Sequence, residues 1–261
     1  MFNSYEFIFA GVPSSMYGLM VCDFGGNSHS DNAFGNSAEI LETRIQGRVR
    51  PLHYGVDYHK EPLSFKLVFG SERQLDRWDM QDISYWLTGH QQYQWLSIEQ
   101  PDLAHVEFRC LITKLTPVSV GWVPYAFEAE VTCDCPYAYG LPFEHRENFY
   151  DGDIIHLYND STARVVCFPE MVIRPANGCT EIAITNVSDN GKVFKLSEIP
   201  ASVSEIYVDN DNCIIRATDN IDLYKGFNDC FFGLVPGDNT LEMLGSGTIT
   251  VSGRYFYNVG A

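Results

Sequence analysis

Short alternating runs of apolar and polar residues recur along this chain, and only one stretch departs from them into helical spacing. A period of two sends successive side chains to opposite faces of a strand. In the second half the runs are Val165–Cys167, Glu170–Arg174, Glu181–Val187, Lys192–Leu196, Glu205–Val208, Cys213–Arg216, Asp229–Leu234, Asn239–Leu244 and Gly247–Tyr257. Asn177-Gly178 and Asp189-Asn190-Gly191 between them are hairpin-type turns. Nine short strands in about 110 residues is the pattern of a β-sandwich or jelly roll.

The first half alternates too. Residues 5–9 and Gly18–Cys22 read as strands flanking a turn at Gly11-Val12-Pro13, and residues 23–37 as a long Gly/Asn/Ser-rich loop. Ile40–Arg50 reads as one arm of a hairpin, and Pro51–Glu61 as a polar connection. Ser64–Gly70 follows with Phe65, Leu67 and Phe69 on one face. Ser71 then offers an N-cap hydroxyl to a helix over residues 71–88, with Glu72 in its first turn. Leu75, Trp78, Ile83 and Trp86 are expected inward, Asp79 and Asp82 interrupt that stripe, and Gly89 is expected to stop the helix. Tyr93–Ile98 resumes a strand. Val106–Leu115 alternates, Gly121–Pro124 turns, and Ala126–Cys135 closes this half. Phe127, Ala129, Val131 and Cys133 share one face of that last run, and Glu128, Glu130 and Thr132 the other. The half is β-sandwich-like, one helix on a mainly antiparallel sheet. Pro136–Asp153 holds no period and reads as a linker, so the expected domains are 1–140 and 141–261.

The chain carries 34 acids and 17 bases, a net −17 spread over both halves, which argues against stable nucleic-acid or anionic-membrane binding. No run approaches the roughly 20 apolar residues of a membrane span. The N-terminus lacks a basic export signal, so synthesis in a cytosol is expected. The eight cysteines form no C-x-x-C pair. They are expected as reduced, mostly buried thiols, with Cys133 and Cys135 pointing the same way.

The chemistry-bearing motifs are missing. There is no phosphate-binding glycine loop, no G-x-S-x-G and no H-E-x-x-H. Gly245-Ser246-Gly247 is a turn before a strand. His29, His53, His59, His90, His105, His145 and His156 lie scattered, mostly in polar connections. Asp209-Asn210-Asp211-Asn212 begins like a calcium loop, but Ile214 and Ala217 stand where an EF-hand needs Gly and Glu, so it reads as a hairpin turn. No catalytic residue, cofactor site or metal ligand is assigned.

The order of these elements resembles the distal tail proteins of long-tailed, non-contractile bacteriophages. The first half contributes FIFAGVPSSMYGLMV, ILETRIQGRVR, SFKLVFG, the Trp86-Leu87 helix end, WLSIEQPD, FRCLITKL and FEAEVTCDCPYAYG. The second contributes EMVIRP, EIAITN, the DNDN turn and a late Leu-x-Pro-Gly-x-Asn at Leu234, Pro236, Gly237 and Asn239. The resemblance covers nearly the whole chain through many weak motifs in order. The glycine/asparagine-rich loop and the CDCP strand end depart from the family pattern.

The resemblance implies a non-enzymatic virion protein at the tail tip, assembled in the host cytoplasm. It implies a homo-hexameric ring of N-terminal domains, with galectin-like C-terminal sandwiches outside. The implied partners are the tail tube protein, the tail-tip hub protein, receptor-binding proteins and the tape measure protein, with DNA transiting the lumen. An acidic lumen is expected, with Glu128 and Glu130 as its candidate residues. The alternative is a carbohydrate-binding sandwich. All four Trp lie in the first half, leaving Tyr150, Tyr158, Tyr207 and Tyr224 as sugar platforms.

Overall fold

A computed structural model describes residues 6–22, 38–58 and 61–259. The expected loop at 23–37, with His29, and also His59 lie outside these residues. The chain divides into two compact units. One extends to Tyr139 and takes back the residues from Asn258, and the other is Gly140–Tyr257. The fold is mainly β, as expected.

The first unit contains β1 (Phe7–Phe9), β2 (Val12–Pro13), β3 (Met20–Val21), β4 (Ala38–Thr43), β5 (Leu52–Tyr58), β6 (Ser64–Gly70), α1 (Arg77–Thr88), β7 (Gln94–Ile98), β8 (Val106–Val120), β9 (Val123–Cys133) and β10 (Ala138–Gly140). Its main sheet runs β2-β1-β7-β8-β9-β6-β3. The inward residues of β9 are the four read from the alternation, Phe127, Ala129, Val131 and Cys133. They join Phe65, Leu67 and Phe69 from β6 and Phe108, Cys110 and Ile112 from β8.

Helix α1 closes this core through Trp86. The indole stacks on Phe7 at 5.7 Å and on Tyr17 at 4.6 Å, and its Nε1 donates to the Phe9 carbonyl at 3.2 Å. The helix begins six residues later than expected. Asp76, not Ser71, is the N-cap, and its carboxylate accepts from the amides of Trp78 and Asp79 at 2.8 Å each. Asp79 reaches back to the Asp76 amide at 3.0 Å, completing a capping box. Trp78 lies in the first turn and is 69% exposed, while Ile83, Trp86 and Leu87 are buried. Leu75 is buried from the segment before the helix. Gly89 caps the end with φ −76°, so no left-handed residue is involved.

The second unit is a two-layer sandwich. Its further strands are β11 (Phe143–Phe149), β12 (Ile154–Asn159), β13 (Glu170–Pro175), β14 (Ile182–Asn186), β15 (Lys192–Leu196), β16 (Ile206–Asp209), β17 (Ile214–Ala217), β18 (Gly237–Leu244), β19 (Gly247–Gly253) and β20 (Phe256–Tyr257). One sheet has the order β11-β19-β13-β16-β17 and the other β12-β18-β14-β15. Between them lies a continuous core including Phe149, Met171, Ile173, Ile184, Phe194, Leu241 and Ile249. The DNDN segment turns between the paired strands β16 and β17, with Cys213 at φ +57°.

Five expectations are corrected. Pro136–Asp153 is not an aperiodic linker: it holds β10 and β11, and β11 pairs with β19 over seven residues. Its rhythm is hidden because only Phe149 of FEHRENF is buried. Pro51–Glu61 is not a plain connection, since it contains β5. Asp229–Leu234 forms no strand. Leu234 makes a single bridge to Cys167, which also replaces the expected strand at Val165–Cys167. The strand run ending at Cys135 stops at Cys133, and Cys135 is half-buried beyond it with its thiol 3.2 Å from the Tyr137 carbonyl.

Candidate assembly surfaces

Two hairpins of the first unit present groups that a lone chain leaves in water. Strands β4 and β5 pair only with each other among the described residues, with an irregularity between Leu41 and Glu42. Ile40, Leu41, Tyr54 and Val56 on the strands, and Ile45 and Val49 between them, are all exposed, Val49 completely. A two-stranded ribbon has no interior, so its apolar residues face water on both sides. Such a ribbon is marginally stable alone. The connecting segment also gathers Arg44, Arg48 and Arg50, three of the 17 basic residues of an acidic chain.

The second hairpin is β8–β9, paired as far as Val120 opposite Val123. Its tip is Gly121-Trp122, at φ +61° and +73°. Two positive φ angles match the twist of a two-residue hairpin turn. The second position favours glycine, because a side chain in the left-handed region costs about 1–2 kcal/mol. Here it is Trp, and the indole is 99% exposed. Sequence reading placed the turn but had no signal for the strained Trp. On α1, Trp78 and Tyr85 are likewise exposed, seven residues apart on one face.

Glu128 and Glu130, the expected lumen acids, are both ion-paired. Glu128 meets Lys66 at 2.7 Å, and Glu130 meets Lys114 at 2.9 Å. Register places Lys66 opposite Glu130, so the four charges form a ladder across β8, β9 and β6. Hydrogen bonding to Lys114 holds the Glu130 carboxyl below the usual range. The ladder carries no net charge, so these two glutamates are corrected as sources of a negative wall.

The second unit keeps its tyrosines apart. Tyr158 stands outward on β12 and Tyr207 lies on β16 of the other sheet. Tyr150 lies between β11 and β12 and is exposed. The Tyr224 hydroxyl accepts from the Ile215 amide at 2.8 Å, locking the turn beside β17. The four therefore form no single aromatic platform. The histidines are also dispersed: His145 meets Glu147 at 3.0 Å, His156 lies 3.5 Å from the Thr240 hydroxyl, and His90 packs edge-on against Phe9. Among the described residues no group of three potential metal ligands converges, and no helix is long and apolar enough to cross a membrane.

Models of two phage tail families match the chain, a phage tail protein N-terminal domain over residues 2–135 and a phage tail C-terminal domain over residues 137–253. The chain belongs to the phage tail protein family. No curated protein sequence matches it. Among solved structures, this phage tail protein is similar to the Dit protein of phage SPP1, described as a paradigm of the hub adsorption apparatus in phages infecting Gram-positive bacteria. The match has a TM-score of 0.70 at 12% identity, over 96% of this chain and 98% of that one. Chains of the phage p2 baseplate in its activated conformation match at a TM-score of 0.49, with 11% identity in the calcium form and 9% in the strontium form. They cover 90% and 95% of this chain, and 90% and 97% of those chains. The resemblance to distal tail proteins read from the sequence holds at the level of family and fold.

Proposed function

We propose that this phage tail protein is a distal tail hub whose copies close into a homo-hexameric ring. In this reading residues 1–140 make the ring and residues 141–261 stand outside it. The ring joins the tail tube protein to the tail-tip hub protein, receptor-binding proteins attach around it, and the tape measure protein and then DNA pass through its lumen. Its role is structural rather than enzymatic.

The observation that carries the reading is the β4–β5 ribbon. Its exposed Ile40, Leu41, Tyr54 and Val56 need a cover, and a neighbouring copy supplies one at every position of a ring. The arginines between the strands favour the acidic surface of that neighbour. The two-unit fold shared with the SPP1 hub protein supports the same role. The test is light scattering of the full chain against an Ile40→Asp/Val56→Asp variant. The wild type is expected to assemble and the variant to remain a folded monomer. Equal assembly by both overturns the ribbon's role.

A further inference from the structure

Cys110 on β8 and Cys133 on β9 stand directly opposite each other in the sheet, 0% and 1% exposed. Their backbone setting is fixed by neighbouring hydrogen bonds. The Cys133 amide donates to the Leu63 carbonyl at 2.8 Å, away from β8, while the Asp134 amide donates to the Arg109 carbonyl at 3.0 Å. The bonded pair is therefore Arg109 with Asp134, and Cys110 with Cys133 is a non-hydrogen-bonded pair. In antiparallel sheets such pairs have Cα atoms about 4.5 Å apart and their side chains closest. That separation lies within the span a disulfide bridges, about 4.4–6.8 Å. The neighbouring Cys110 thiol and burial both push the Cys133 thiol above its usual range.

We infer that Cys110 and Cys133 are a cross-strand thiol pair that closes to a disulfide when the chain meets an oxidising, disulfide-containing environment. The co-reactant is a small disulfide such as oxidised glutathione. One cysteine thiolate attacks it, forming a mixed disulfide and releasing one glutathione thiolate. The other cysteine then attacks the protein sulfur of that mixed disulfide and releases the second glutathione. Two protein thiols are oxidised and one glutathione disulfide is reduced to two thiols. Burial keeps the pair inert in the folded chain, so closure occurs during folding or local opening of β8 and β9. Cys213 is exposed at a turn, and Cys167 pairs in register with Leu234. The chemistry stands on the sheet register alone. Its timing, reduced in the cytosol and oxidised in a released virion, rests on the proposed function.

The test uses the full chain, refolded from denaturant in glutathione buffers of graded oxidised-to-reduced ratio. Free thiols are then alkylated and the products mapped by mass. In the expected product the Cys110–Cys133 peptide pair is linked and two mass units lighter than its reduced form, and the other thiols are alkylated or carry glutathione. It is also expected to melt several degrees above the reduced chain. Holding the already folded chain in the same buffers for days provides a second measurement should refolding fail. Free Cys110 and Cys133 at the most oxidising ratio, or a link from either to Cys135, overturns the inference. Neither outcome depends on whether a ring forms.

Discussion

Asn186 Nδ2 donates to Asn239 Oδ1 at 2.9 Å, and both side chains are buried to within 1%. The two amides fix the segment that leads into β18. Asn186 also donates to the Gly233 carbonyl at 2.9 Å. Asn239 accepts from the Val235 amide and donates to the carbonyls of Val235 and Gly237. Asn159 donates to the Leu234 carbonyl from a third strand. The late Leu-x-Pro-Gly-x-Asn pattern is thus a structural device, because its asparagine satisfies a backbone that makes no ladder.

Replacing Asn239 by Ala strands the Val235 amide and carbonyl and part of the Asn186 amide. Each unsatisfied buried group costs about 1–3 kcal/mol, so a total loss of about 3 kcal/mol or more is expected. For a chain of this size that lowers Tm by roughly 6–12 °C. Differential scanning calorimetry of the full chain checks it. A change under 2 °C contradicts the clamp.

The helix cap has a pH signature. Arg73 grips Asp79 at 2.6 and 2.7 Å, and those bonds hold the Asp79 carboxyl down at about 2. A depressed pKa stabilises the fold above the ordinary carboxylate pKa near 3.8 and loses that contribution as pH falls through about 2. Asp79→Asn is therefore expected to flatten the acid limb of the stability curve between those values. Asp76→Ala, which removes the N-cap itself, is expected to cost about 1 kcal/mol at neutral pH. Denaturant titrations from pH 2 to 7 check both. An unchanged acid limb in Asp79→Asn rules out this account of the cap.

Gly245 sits at φ +94° between β18 and β19, and a Cβ there would lie 2.4 Å from the Glu181 carbonyl oxygen. Gly245→Ala suffers both backbone strain and a clash with main chain. A loss of about 3 kcal/mol or more is expected, against about 1–2 kcal/mol for Gly178→Ala, whose positive φ brings the same strain but whose surroundings are open. Equal costs would show that the close approach is unimportant.

Assembled protein is expected not to retain duplex DNA. Six copies at −17 each carry a formal −102, and phosphate binding requires clustered Lys and Arg. Lys66 and Lys114 are committed to Glu128 and Glu130. Mobility-shift titration near 50 mM salt is the check, and a clear shift contradicts the expectation.

Strand alternation was legible in most runs with one face on a core, but not in β12, where Ile155 and Leu157 are buried and no strand is read from the sequence. Lys192–Leu196 is read to the residue, and the four inward positions of β9 are correct. Legibility failed where burial is one-sided or absent. In β5 the period of two is present at Leu52, Tyr54 and Val56, but Tyr54 and Val56 face water and His53 and Gly55 stand between them, so the run reads as a polar connection. In β11 the residues His145 and Glu147 occupy positions where a core strand would carry apolar side chains. At α1 the decisive signal is Asp76-x-x-Asp79, and Asp79 interrupts the apolar stripe because it is half of a capping box. The assembly surfaces were legible only as a hairpin at Ile40–Arg50. The exposure of Trp122 and the pairing of Cys110 with Cys133 depend on register and solvent, which one strand's sequence does not encode.

The central claim is the ring. Electron cryomicroscopy of the purified full chain at tens of micromolar, alone and with its tail tube partner, tests it most directly. The account predicts closed six-fold rings with the β4–β5 ribbon of each copy lying on the next, and loss of those rings in Ile40→Asp/Val56→Asp. Monomers under both conditions, or a ring held together solely through residues 141–261, would contradict it.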